Sequence, residues 1–234
     1  MSGDSDKRSR RHAVRIQLHD TVVGIELTLI SIIQGLALGV LAASTVQPLI
    51  AFQWQVWPYI ATGLLTILIF WSRSLVHTLS FIGWPLEFGH TFIYFGATLI
   101  EAVALSQVAN PERWFALNAL YAAVVWGLYA YDLRLVRQRE EDFDSPPERA
   151  LLADIVHDQR VNLAFMMPAA VAFQAFAWWL VHEFPQALLG QRWHLLLIAL
   201  TLLFSLNYLY GGIRLLRRRQ EWIVDRNAHA LAGD

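Results

Sequence analysis

The chain has 234 residues, 56% of them hydrophobic and only 16% charged, with a formal net charge of -1 and a mean hydropathy of +0.40. A soluble domain of this size cannot enclose so much apolar side chain, so the composition excludes that class and predicts an all-α, polytopic membrane protein. With no cysteine present, disulfides, thiolate metal sites and cysteine nucleophiles are excluded as well.

Residues 1–20 form a basic segment containing Lys7, Arg8, Arg10, Arg11 and Arg15. Next to a membrane span such a segment sets orientation and contacts anionic lipid head groups, and a nucleic-acid partner is not expected. Six apolar stretches follow, at 21–44, 57–79, 86–108, 114–136, 161–182 and 193–216, each close to the ~20 residues that cross a hydrocarbon core. They define a single transmembrane domain over 21–216, followed by a basic tail at 217–234. The first stretch exceeds the ~7–15 residues of a signal-peptide core and is interrupted by Gly24, Glu26 and Gln34, so it is expected to be retained.

Arginines set the predicted orientation, because cationic flanks resist translocation. They cluster before the first span, around the fourth connection (137–160) and after the last span, where Arg214, Arg217, Arg218, Arg219 and Arg226 lie. The opposite side carries only Arg113 and Arg192. Both termini are therefore expected in the cytoplasm, with the chain in a bacterial inner membrane or its equivalent. Tryptophans at 54, 57, 84, 114, 178, 179 and 193 mark the expected interfacial belts. Within the fourth connection, Leu151, Leu152, Ile155 and Val156 share one helical face, which predicts a short amphipathic helix on the membrane surface or on a neighbouring subunit.

Function is sought among the ionisable groups at membrane depth, each of which costs roughly 3 kcal/mol on insertion scales unless paired or wet. In the third span, Glu87, His90, Thr91, Tyr94, Thr98 and Glu101 follow helical steps along one stripe. The second span places Thr62, Thr66, Arg73 and His77 together, and the fourth Asn118, Tyr121, Tyr129 and Asp132. In the first span, Asp20, Gly24, Thr28, Ser31, Gln34 and Gly35 share a small, polar face, where hydroxyls and amides can replace part of an ion's hydration shell. Arg73 is expected to snorkel or to pair with Glu87 or Asp132. The sixth span repeats the pattern with His194, Thr201, Ser205, Tyr208 and Gly212; the fifth offers little beyond Gln174, and Pro168 is expected to kink it. Polar stripes also serve simply to bind helices together, and that reading suits the sixth span best.

Residues 15–20 read Arg-Ile-Gln-Leu-His-Asp, followed by an Ile- and Thr-containing apolar run. This start resembles that of the bacterial relatives of the lysosomal potassium channel, whose first helix opens with Arg, three residues and Phe-Ser-Asp. His19 stands here in place of Phe-Ser, and the Arg-to-Asp spacing is one residue shorter. The resemblance implies a homotetramer with the first helix lining a cation pathway and with Arg15 and Asp20 holding the helix start.

The first functional expectation is thus a channel or transporter for small cations, potassium or protons foremost, in an oligomer. Its pathway candidates are Asp20, Thr28, Ser31, Gln34, Glu87, His90, Tyr94 and Glu101, with Arg15, Arg73 and Asp132 as structural ion-pair groups. His77 and His90 are candidates for pH sensing. The alternatives are a non-transporting interaction protein that recruits a partner through 137–160, and a haem, metal or enzyme site built on His77, His90 and Glu87. Neither catalytic motifs nor metal-ligand spacings are present, so no catalytic residue, resident metal or cofactor is expected.

Overall fold

The computed structural model describes the backbone of residues 2–80, 88–138 and 146–232. Side chains are described over 27–75, 89–138 and 149–215, with a few positions beside them. The side chains of Arg15, Asp20 and His77, and all of Glu87, lie outside the described residues.

Seven α-helices make up the described chain: α1 (Ser2–Ile50), α2 (Trp57–Ser80), α3 (Phe88–Leu105), α4 (Pro111–Gln138), α5 (Pro146–Val161), α6 (Met167–Glu183) and α7 (His194–Ala232). Five stretches are long and apolar enough to cross a bilayer: Leu27–Ile50, Trp54–Leu75, Pro111–Gln138, Arg149–Glu183 and His194–Leu215. The apolar part of α3, Gly89–Leu105, is shorter and rises about 26 Å at 1.5 Å per residue, just under a ~30 Å hydrocarbon core. Helix α1 continues past the expected end of the first span at 44, carrying Pro48 within it and ending at Ile50.

One expectation is corrected outright. The segment at 146–160 is no surface helix: α5 runs into α6 through a π-helical segment, Asn162–Met166, and the two form one long rod. Leu151, Leu152 and Ile155 are buried against Val136 of α4 rather than against lipid or another subunit. Packing against α4 overrides the amphipathic signal, which reports only that one face is apolar and not what covers it.

The π segment has a chemical cause. Proline has no N–H and crowds the carbonyl a turn earlier, and in i→i−5 bonding Pro168 leaves the Leu163 carbonyl without its helical donor. Trp126 of α4 supplies one, its Nε1 donating to that carbonyl at 2.8 Å. The proline is thus absorbed by a local change of helical pitch, stapled to α4 from the side.

Among the described helices the main packing pairs run in a ring, α1–α2–α7–α6–α4–α3 and back to α1, with α6 and α7 the loosest pair. One end of the ring is plugged. Tyr59, Trp114 and Phe115 are almost completely buried there with Leu105, Val108, Val181 and Ile198, and Tyr59 meets Trp114 edge to face at 5.5 Å. Tyr59 Oη and His194 Nδ1 share a hydrogen bond of 2.9 Å. Gly63 lets the helices close up at this plug, since a Cβ there would stand 2.7 Å from Leu105 Cδ2 and 3.2 Å from Trp114 and would push the Leu105 side chain aside.

Candidate functional site: the central cavity

The ring encloses a cavity of about 520 Å³, in the size range of small-molecule sites. Every helix from α1 to α7 contributes to its wall. Most of the lining is apolar or aromatic, with Ile30, Phe70, Tyr94, Tyr121, Phe173 and Phe204 along its length. Among the described residues, the Arg, His and Asp side chains on the wall are Arg73, His90, Asp132 and Asp158, all toward the end opposite the Trp114 plug.

Arg73 Nη1 donates to Asp158 Oδ2 at 2.8 Å, with both side chains about four-fifths buried. Asp158 also accepts from Asn162 Nδ2, at 3.2 Å on its carboxylate and 2.8 Å on its backbone carbonyl. Tyr208 Oη donates to Asn162 Oδ1 at 2.6 Å, so the 2.8 Å contact between the Tyr129 and Tyr208 hydroxyls has Tyr129 as its donor. The Arg73 guanidinium lies 4.8 Å from the Tyr208 ring centroid, and this cation–π contact closes the circuit. Four helices and the π segment are tied at one level by this chain of bonds.

Beside it, His90 Nε2 lies 3.2 Å from Asp132 Oδ1. That is an ion-pair distance without hydrogen-bond alignment, since Asp132 Oδ1 has no hydrogen-bond donor. Two further buried acceptors on the cavity wall share that condition, Gln159 Oε1 and Gln174 Oε1. Gln174 does use its amide nitrogen, which donates to Thr201 Oγ1 at 3.4 Å.

The predicted residues separate into groups. Arg73, His90, Tyr94 and Asp132 converge on the cavity, as do Thr66, Asn118, Tyr129, Thr201 and Ser205. Arg73 pairs with Asp158 instead of Asp132, and Asp132 faces His90. Glu101 is 1% exposed and does not line the cavity; it accepts from Gln34 Nε2 at 3.3 Å, and that nitrogen is also 3.4 Å from Tyr94 Oη. The polar face read on α1 is divided: Gln34 turns inward, while Gly24, Thr28, Ser31 and Gly35 are exposed on the outside of the ring. Thr28 satisfies its hydroxyl on the Gly24 carbonyl at 2.8 Å.

Asp158, Gln159 and Asn162 escaped the sequence reading because their segment was assigned to the membrane surface. A signal was available in the i, i+4 pair Asp158 and Asn162, which sits directly before an apolar run without a helix breaker until Pro168. Among the described residues no group of three His, Asp or Glu side chains is arranged to hold a metal ion. Comparison with protein-family models, curated proteins and solved structures yields no match.

Proposed function

We propose that this chain is a multi-pass membrane carrier for small cations, with the central cavity as its binding site. The observation that carries the reading is the charge on the cavity wall. Among the described residues, two carboxylates, Asp132 and Asp158, face one guanidinium, Arg73, so these groups together hold an excess negative charge whenever His90 is neutral. In a low-dielectric enclosure that excess favours a positively charged occupant. His90 adds a switch, because protonating the imidazole supplies Asp132 with an internal counter-ion that competes with the solute.

Six spans with both termini in the cytoplasm suit this reading, with α3 as the short sixth span and the cavity's charged end toward the arginine-rich side. A bacterial inner membrane or its equivalent is the expected location. A homo-oligomer would use the outward face of α1, where Gly35 and Gly39 have open space around them and stand in the small-xxx-small spacing that lets helices approach. A tetramer with α1 around a shared axis would place Thr28 and Ser31, rather than Gln34 and Glu101, beside that axis.

The test is cation flux into proteoliposomes. Asp132→Asn is expected to lower flux at least tenfold, and His90→Gln to reduce its dependence on pH. Wild-type flux no greater than that of empty liposomes, or flux unaffected by Asp132→Asn, removes the carrier reading.

A further inference from the structure

The shape of the cavity and its unsatisfied oxygens narrow the class of cation. Gln159 and Gln174 both line it, and they stand on one continuous helical rod about 22 Å apart along its axis at 1.5 Å per residue. The cavity, of about 520 Å³ and partly open, is therefore an elongated tube.

A bare alkali ion fits this tube poorly. Such ions are held by six or more oxygens in a tight shell, whereas the wall between the two ends is built from Ile30, Phe70, Tyr121, Phe173 and Phe204. Asp132 Oδ1, Gln159 Oε1 and Gln174 Oε1 lie in residues no more than 8% exposed, and none receives an aligned hydrogen bond, Asp132 Oδ1 having only its ion-pair contact with His90. Buried acceptors left empty cost about 1–3 kcal/mol each, and an occupant with an N–H-bearing head would relieve that cost at the Asp132 and Gln159 end. Among the described wall residues the excess of a single negative charge matches one positive charge on that occupant.

The entry side is consistent with this class. α6 and α7 are the loosest neighbours in the ring, and Ala169 and Leu200 both line the cavity and are exposed on its outside. On the same two rods Phe165, Leu203 and Leu206 also expose apolar side chains. A solute with an apolar chain can reach the tube from the bilayer along such a seam, which a fully hydrated ion cannot do.

We infer that the cavity binds primary alkylammonium compounds: one ammonium group at the Asp132 and Gln159 end, with an extended apolar chain running along the aromatic walls toward Gln174. This rests on the reading of the cavity as a cation site and specifies its substrate class.

The experiment measures saturable binding to the full chain in detergent, by tryptophan fluorescence and calorimetry, with n-octylammonium, n-octyltrimethylammonium and 1-octanol. Octylammonium is expected to bind at least tenfold more tightly than the other two, since the quaternary compound keeps the charge without donors and the alcohol lacks the charge. Asp132→Asn should weaken it at least tenfold and Gln159→Leu several-fold, each checked for an unchanged thermal unfolding midpoint. Because Gln159 lies outside the ion pairs, it keeps the test open if Asp132→Asn does not fold. Equal binding of octylammonium and octyltrimethylammonium overturns the inference, as does octylammonium binding indifferent to both substitutions. Absence of octylammonium binding together with potassium or proton flux that depends on Asp132 also overturns it, while leaving the carrier reading standing.

Discussion

Glu101 shows most sharply how a single residue's role depends on its neighbour. Its carboxyl group is sealed against Gln34, and Glu101 Oε1 and Gln34 Oε1 both lack a partner. A second amide can donate to the Gln34 amide oxygen while still accepting from its nitrogen, as a neutral carboxyl group also can. Glu101→Gln is therefore expected to leave the unfolding midpoint within about 2 °C of the wild type, and to leave flux unchanged. A tenfold loss of flux in that variant would return Glu101 to the transport pathway. The contrast with Asp132 is instructive: both are buried acids with an unpartnered oxygen, but only Asp132 opens onto the cavity.

At the level of elements, the π segment between α5 and α6 connects proline chemistry to the site. It lets the long rod pass Pro168 without ending, and so brings Asp158, Gln159 and Asn162 into the same ring as Gln174. Trp126 holds the carbonyl that the proline leaves unpaired. Toward lipid no water can replace that donor, so Trp126→Phe is expected to cost about 1–2 kcal/mol in thermal or denaturant unfolding. In a Pro168→Ala background the restored N–H can serve the carbonyl, and the cost of Trp126→Phe should fall by more than half. Additive costs in the four-variant cycle would show that the indole bond and the proline are unrelated. The tryptophan pattern was read as interfacial belts, which Trp54 and Trp193 fit by their exposure; Trp114, fully buried in the plug, and Trp126 have other roles.

For the molecule as a whole, the short α3 makes the orientation worth measuring, since losing or keeping it as a span reverses the side on which everything after it lies. The chain has no cysteine, so single introduced cysteines report sidedness directly. With six spans, Ala109→Cys and Gln191→Cys are expected to react with an impermeant maleimide in intact cells, and Ser5→Cys and Ala230→Cys only after the membrane is opened. Labelling of positions 5 and 109 from the same side would refute the six-span arrangement. Part of this molecule can be read along the chain, because hydropathy and helical period are local properties: the apolar, all-helical class and the approximate limits of the spans in α2, α4 and α7 follow from them. Contacts across helices are not local. That Arg73 meets Asp158, that Glu101 is shut away with Gln34, and that α5 is an inner wall rather than a surface helix depend on the rotation and register of rods packed side by side, and a shift of one residue along an α-helix turns a side chain by about 100°. Packing around a proline, a glycine and a plug of aromatic rings selects one such register, and with it which acids face the cavity.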